Sequence, residues 1–267
     1  MLSALTLHLH ELWLVVASFL AGVVNAMAGG GSFVSFPAML AMGVAPIQAN
    51  ATNTVALWPG QLTSVAALRG DLRKDLLPVV TGASILGGVS GAVVLLKTRQ
   101  ITFLHMVPWL LLVASLLFGI SGPASRWLRR RAEAKALAAS VAHDREATPA
   151  LVPLFLVLLP VCFYIGYFGA GAGFLIMSAL ALFGIEEMRA LNSMKVLSAC
   201  LSNLCAVITF VVSGAVVWKY CFVSMVICGV GGYIGAQYAR KMNPDVLRLI
   251  VVGTGCVMAA YFFWRQA

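Results

Sequence analysis

GVVNAMAGGGSFVSFPAMLAMGVAPIQANATNT occupies residues 22–54, and its architecture is set by one interruption. The apolar run that begins at Leu12 stops at Gly29-Gly30-Gly31. It resumes at Ser32 for only about 12 residues, some 18 Å as helix at 1.5 Å per residue. A bilayer core is about 30 Å thick, so this second piece cannot cross alone. Either it continues the preceding helix through a break, or the two pieces form a re-entrant hairpin tipped by glycines. The segment that follows, QANATNT at 48–54, is too polar to face lipid.

The rest of the chain supplies the membrane context. Of 267 residues, 61% are hydrophobic and 10% charged, and the mean hydropathy is +0.96. Soluble domains carry about 25% charged residues, so this chain could not cover a water-soluble fold. Apolar pieces recur at about 12–28, 32–43, 47–68, 76–96 and 101–120, and again at 151–168, 172–183, 187–212, 218–239 and 245–264. The expected class is an all-α polytopic membrane protein.

The two sets of five match in order. At an offset of 141, Gly30, Phe33, Ala38, Gly43, Ala49 and Val55 meet Gly171, Phe174, Ala179, Gly184, Ala190 and Val196. At an offset of 144, GGVSGA (87–92) meets GGYIGA (231–236), Gly70 meets Gly214 and Lys97 meets Lys241. Such self-similarity marks a duplicated chain. The expected organisation is a first membrane repeat at 1–120, a basic linker at 121–150 and a second repeat at 151–267. The apolar run Leu12–Ala28 ends in Ala26-Met27-Ala28, which looks like a signal-peptidase site. No Lys or Arg precedes it, and the same pattern returns at 160–174, so it is expected to be structure rather than an address.

Charge orders the topology. The chain has 18 Lys+Arg against 9 Asp+Glu, a net +9 that the positive-inside rule explains without nucleic-acid binding. Arg126, Arg129, Arg130, Arg131 and Lys135 place 121–150 in the cytoplasm, with Ala132–Val141 as a short surface helix that could touch anionic lipid. With Lys195, which lies inside an apolar piece, left out of both counts, a broken continuous helix gives parallel halves with 11 Lys+Arg inside and 6 outside. A hairpin leaves three crossings per half, so the halves invert and the split becomes 13 inside to 4 outside. The inverted arrangement is therefore expected: each half opens with a glycine-tipped hairpin followed by three transmembrane helices, in a multi-pass protein of the inner cell membrane.

The polar residues inside apolar pieces are the candidate site. Glycine breaks free backbone N–H groups, tolerable in a membrane only against protein or a water-filled cavity. The short helix after each break presents its N-terminus, the positive end of a dipole suited to anions. Asn25, Gly29, Gly30, Gly31 and Ser32 form the first tip, and Gly169, Gly171 and Gly173 the second. The GxxxG pairs Gly87/Gly91 and Gly231/Gly235 read instead as helix packing. No Lys-Ser/Thr follows the glycines, which excludes a nucleotide loop.

The third piece of each half carries a polar stripe. Asn50, Thr54, Trp58 and Gln61 share one helical face, with Thr52 and Asn53 beside them and Pro59 interrupting the piece. The offset of 141 sets Lys195 opposite Thr54 and Ser202 opposite Gln61; Asn192, Ser193 and, more weakly, Asn203 join this second copy. A lysine in the bilayer faces a partner, a cavity or a substrate unless it snorkels to the interface.

Absences complete the reading. Glu11, Asp71, Asp75, Glu133, Asp144, Glu146, Glu186, Glu187 and Asp245 all fall in loops or at segment ends. His105 alone of His8, His10, His105 and His143 lies near a membrane segment. Cys162, Cys200, Cys205, Cys221, Cys228 and Cys256 form no CxxC or Cys/His cluster, so they read as reduced core residues. No catalytic residue, metal ligand or cofactor is expected. Nothing in the sequence decides between a monomer and a homo-oligomer.

The run 22–54, with GYFGAGAGF (166–174) and LNSMK (191–195), resembles the doubled glycine signature of the sulfite exporter TauE/SafE family, the TSUP permeases. The resemblance covers nearly the whole chain. It implies a permease or exporter of small sulfur-containing anions such as sulfite or organosulfonates. Some members carry lysine where this chain has Thr54, a departure from the pattern. The expectation is a small-anion transporter whose substrate sits near the midplane between the halves. Lys195 would supply charge, the half-helix ends N–H donors, and Asn, Thr and Ser directional hydrogen bonds. The alternatives are a carrier of a neutral or cationic solute, with Lys195 snorkelling, and a membrane-embedded enzyme.

Overall fold

The glycine breaks separate helices. In the computed structural model, which describes residues 2–28, 30–142, 150–183, 185, 187–238 and 244–266, α1 (Leu2–Ala28) ends before Gly30-Gly31 and α2 (Ser32–Ala41) begins after them. α6 (Leu151–Tyr167) and α7 (Ala172–Leu182) flank the second break in the same way. Between and after them come α3 (Pro46–Leu68), α4 (Leu77–Lys97), α5 (Gln100–Ala142), α8 (Met188–Val212), α9 (Trp218–Tyr238) and α10 (Pro244–Gln266). The described residues are all-helical, with short 3-10 turns at Arg69–Asp71 and Lys74–Leu76 and no strand. Lys74–Lys97, Gln100–Leu117 and Met188–Val212 are long and apolar enough to cross a membrane.

Close contacts give the helix directions. A Cβ added to Gly82 would meet Phe155, one on Gly87 would meet Cys162, and one on Gly91 would meet Phe163 and Tyr167. Residue numbers rise together, so α4 and α6 run the same way. Cys162 lies 3.5 Å from Ser198 and Gly169 lies beside Asn203, so α8 runs with α6 as well. α7, joining the end of α6 to the start of α8, therefore turns back. Gly22 abuts Cys228, Gly235 abuts Val23, and Ser18 donates to Ser224 at 3.0 Å, which sets α1 parallel to α9. Thr52 meets the Val217 amide and Leu57 clusters with Cys228, so α3 runs with α9 and α2 turns back in its turn. α5 and α10 are antiparallel: Trp109 meets Phe263 with ring centroids 5.0 Å apart, Ser115 meets Gly255, and Gly119 meets Val252.

In lipid, helices associate through close packing of small residues rather than through expulsion of water. Gly87, Gly88, Gly91 and Gly166 serve that purpose between α4, α6 and α8, where backbone rests on backbone. A side chain there has no room. Gly91→Val is expected to destabilise the protein by about 3 kcal/mol, the upper range for overpacking. Gly229→Val should be near neutral, because nothing lies within 4 Å of that position. Thermal unfolding of the two purified variants in one detergent checks the contrast.

Three elements differ from the sequence reading, the first of them α1, which begins at Leu2, ahead of the apolar piece at 12–28. Residues 121–142, read as linker with a short helix at Ala132–Val141, continue α5 into one helix of 43 residues. Pro123 is exposed, and the stretch after it is rich in Ala, Arg and Leu, strong helix formers. α3 likewise runs on through Pro59. The core is divided. One apolar cluster is built only from α4, α6, α7, α8 and the residues bordering them, with Leu154, Leu158, Ile176 and Met194 at its centre. A second joins α1, α2 and α3 to α5, α9 and α10 and takes in Ala92 and Leu95 of α4, Tyr167 of α6 and Ala206 and Phe210 of α8, with Phe33, Phe36, Phe103 and Phe210 fully buried.

Candidate functional site

The second tip is pinned from within. The Phe168 and Gly169 amides donate to the Tyr164 carbonyl at 2.9 and 3.0 Å, and the Tyr164 hydroxyl donates to the Ala170 carbonyl at 2.7 Å. Gly169 and Gly171 have φ of 77° and 74°, the left-handed region that favours glycine, and so the chain can reverse into α7. Gly173 lies in the first turn of α7, directly under the Lys195 stem: a Cβ there would sit 3.5 Å from Lys195 Cδ. Lys195 is partly buried on α8. Among the described residues it makes no hydrogen bond or ion pair, and the same holds for Asn192, nearly a turn earlier.

The first tip uses glycine differently. Gly31 has an ordinary helical φ of −56°; its side-chain-free Cα is needed because a Cβ would lie 2.6 Å from the Ala21 carbonyl and 2.9 Å from Asn25 Cβ. The Gly30 carbonyl accepts the Phe33 amide, and the Gly31 carbonyl accepts the Val34 and Ser35 amides and the Ser35 hydroxyl. Asn25 and Ser32 are partly buried, with Asn25 turned toward Gly60. Gly29 lies outside the described residues, as does Glu186.

The tips are joined by aromatic side chains. Phe36 of α2 meets Phe168 of the second break edge-on with centroids 5.6 Å apart, and Phe103 of α5 meets Tyr167 at 5.8 Å. The Asn50 amide donates to the Tyr167 carbonyl at 3.1 Å, so the first polar stripe fastens the second break.

Much of the stripe is engaged in such duties. Thr54 donates to the Asn50 carbonyl at 2.9 Å, Thr52 accepts the Val217 amide at the start of α9, and Asn53 accepts the Ser35 hydroxyl. Ser193 donates to the Asp71 carbonyl at 2.8 Å, tying α8 to the turn after α3. Gln61 accepts from Asn203 at 3.1 Å, and the Trp58 indole donates to the Cys200 carbonyl at 3.2 Å. Ser202 is fully buried and its hydroxyl has no partner among the described residues. The candidates whose side chains make no hydrogen bond among the described residues are thus Lys195, Asn192, Asn25, Ser32 and Ser202. Ser35, Tyr164 and Tyr167 were not singled out from the sequence. A serine inside a short apolar helix is a weak signal, and the role of Tyr167 is carried by its carbonyl, which no residue type reveals. A cavity of about 310 Å³ lined by Leu40, Gly43, Val44, Ala45, Pro46, Leu104 and Phe262 opens at the far end of α2 and includes none of the candidates.

A family model described as Sulfite exporter TauE/SafE matches residues 14–262. A protein named probable membrane transporter protein ORF9, from a Sinorhizobium species, is 30% identical over 255 residues, covering 92% of this chain and 90% of its own. The probable membrane transporter protein YfcA of Escherichia coli K12 is 25% identical over 254 residues, covering 92% and 87%. A probable membrane transporter protein of Haemophilus influenzae is 25% identical over 258 residues, covering 95% and 94%. No solved structure matches the chain.

Proposed function

The chain belongs to the sulfite exporter TauE/SafE family and is a membrane transporter, and from that premise we propose that it carries a small anion, sulfite or an organosulfonate, bound between the two hairpin tips near the midplane. The observation that carries the reading is Lys195: a partly buried cation without a partner among the described residues, laid against the first turn of a half-helix. Helix N-termini hold unpaired N–H groups and positive potential, which together with an ammonium favour an anion. Asn192 adds a directional donor, and Asn25 and Ser32 offer the same from the first tip. At the offset of 141, Gly173 and Lys195 correspond to Ser32 and Thr54, so the first half-site offers hydroxyls where the second offers charge. Uptake of sulfite into proteoliposomes tests the assignment. Sulfite bound with no flux would favour another role, and flux of cations alone would replace the anion reading.

An inverted pair of halves supports the midplane placement, as in other repeat-built transporters. The corresponding helices α5 and α10 are antiparallel, and glycine contacts recur at the offset of 144: Gly87 on Phe163 matches Gly231 on Phe19, and Gly91 on Tyr167 matches Gly235 on Val23. The inner-membrane, multi-pass topology with 121–150 cytoplasmic follows from the same reading. Single cysteines introduced near the N-terminus and at residue 99 should then label from outside intact cells, and those at residues 72 and 130 should not. A protected N-terminus beside a protected residue 130 would sink the inverted arrangement.

A further inference from the structure

Two kinds of helix contact hold this molecule together, and they differ in what can move. Within each hairpin bundle, backbone lies against backbone: Gly22 on Cys228 and Gly235 on Val23 in one, Gly87 on Cys162 and Gly88 on Ser202 in the other. With no side chains to re-pack, such surfaces have one dense arrangement. Ser18 to Ser224, and Ser84 with Ser198, each at 3.0 Å, add buried hydrogen bonds inside the same interfaces. Where α3 meets α8 the contact is of another kind. Long side chains reach across, Trp58 to the Cys200 carbonyl and Asn203 to Gln61, and on the α3 side both Trp58 and Gln61 are only partly buried. Beyond them Gly60, Thr63 and Ser64 of α3 are exposed, and the two hydroxyls turn back to the Gly60 carbonyl. The apolar cluster around Leu158 and Met194 contains no residue of α1, α2 or α3, and α8 shares the other cluster with α3 only through its later part, at Ala206, Val207 and Phe210.

We infer that the α3/α8 seam is the gate of the transporter, latched in this structure by the Trp58–Cys200 and Gln61–Asn203 hydrogen bonds. Thr54 precedes Gln61 by 7 residues and Lys195 precedes Asn203 by 8, about two helical turns in each case. Each half-site therefore lies on its own helix, back from the point where the helices meet, and the latch stands between them. Asn203 also faces Gly169, so a shift of α8 against α3 is felt at the second tip. Asn50, buried and bonded to the Tyr167 carbonyl about 16 Å further back along α3, serves as the fixed end of the seam. The hydroxyl of Ser202, enclosed and partnerless next to Asn203, is the polar group that opening would expose. The gate does not depend on which solute is carried.

The test reads Ser202 directly. In full-length protein with all six native cysteines replaced by alanine, Ser202→Cys is a near-isosteric reporter, and its labelling rate by a membrane-impermeant methanethiosulfonate in proteoliposomes measures opening. Gln61→Ala and, as the milder change, Trp58→Phe should each raise that rate about fivefold, the population shift expected from losing one ordinary hydrogen bond. Ser224→Ala, which removes a hydrogen bond inside a glycine-packed interface, should leave it unchanged. Labelling that neither seam variant accelerates, or that Ser224→Ala accelerates equally, overturns the gate. So does a reporter that never labels.

Discussion

Lys195→Met is expected to lower sulfite flux roughly ten- to a hundredfold, the range that corresponds to losing one hydrogen bond to a charged group. The methionine keeps the length of the stem over Gly173 and removes only the ammonium, so the packing of α8 on α7 should survive. Lys195→Arg should retain part of the flux, because the guanidinium keeps the charge and changes its shape. The sign of the driving force follows. Export of a monoanion down an inside-negative potential gains about 2.3 kcal/mol per 100 mV. That is a gradient of roughly fortyfold, and it requires no proton-carrying carboxylate. Flux through the wild type should therefore respond to an imposed potassium-diffusion potential. Glu187 is exposed just before α8, and Glu186 precedes it, so these are the residues able to spoil the idea. Flux indifferent to potential, driven by a pH gradient and lost in Glu186→Gln or Glu187→Gln, would refute it.

Gly171→Leu should abolish sulfite flux while the protein still inserts in the membrane. Two costs combine at this position. The left-handed φ of 74° is strained for any residue with a Cβ, by about 1–3 kcal/mol, and that Cβ would lie 2.9 Å from the Ala114 carbonyl of α5. The hairpin would have to leave α5, carrying Gly173 away from Lys195. Gly214→Leu separates the two costs, since Gly214 has a φ of 69° and nothing within 4 Å. It should show the strain in thermal stability and keep its transport. Gly30→Leu should silence the protein from the first tip. Normal flux in both Gly30→Leu and Gly171→Leu would remove the glycine breaks from the site.

The sequence by itself determined the elements and the membrane class. A charged fraction of 10% leaves no soluble alternative, and the glycine runs at 29–31 and 169–173 mark where one helix ends and another starts, at Gly169 and Gly171 because left-handed backbone freedom is a local property of glycine. The piece boundaries fall within a few residues of the helix ends except at the start of α1, which begins at Leu2 rather than near Leu12, and after residue 120, where a run of arginines reads as loop although Ala, Arg and Leu favour helix just as strongly. The polar stripe at Asn50, Thr54 and Gln61 was legible as a face. Its division of labour was not. Asn50 is fastened to a carbonyl 117 residues away and Gln61 to an amide 142 residues away, while Lys195 is left uncommitted. A hydrogen bond to a distant backbone atom leaves no mark on spacing or residue type. Only the packing of α3 against α6 and α8 decides which polar groups hold the protein and which remain for a solute.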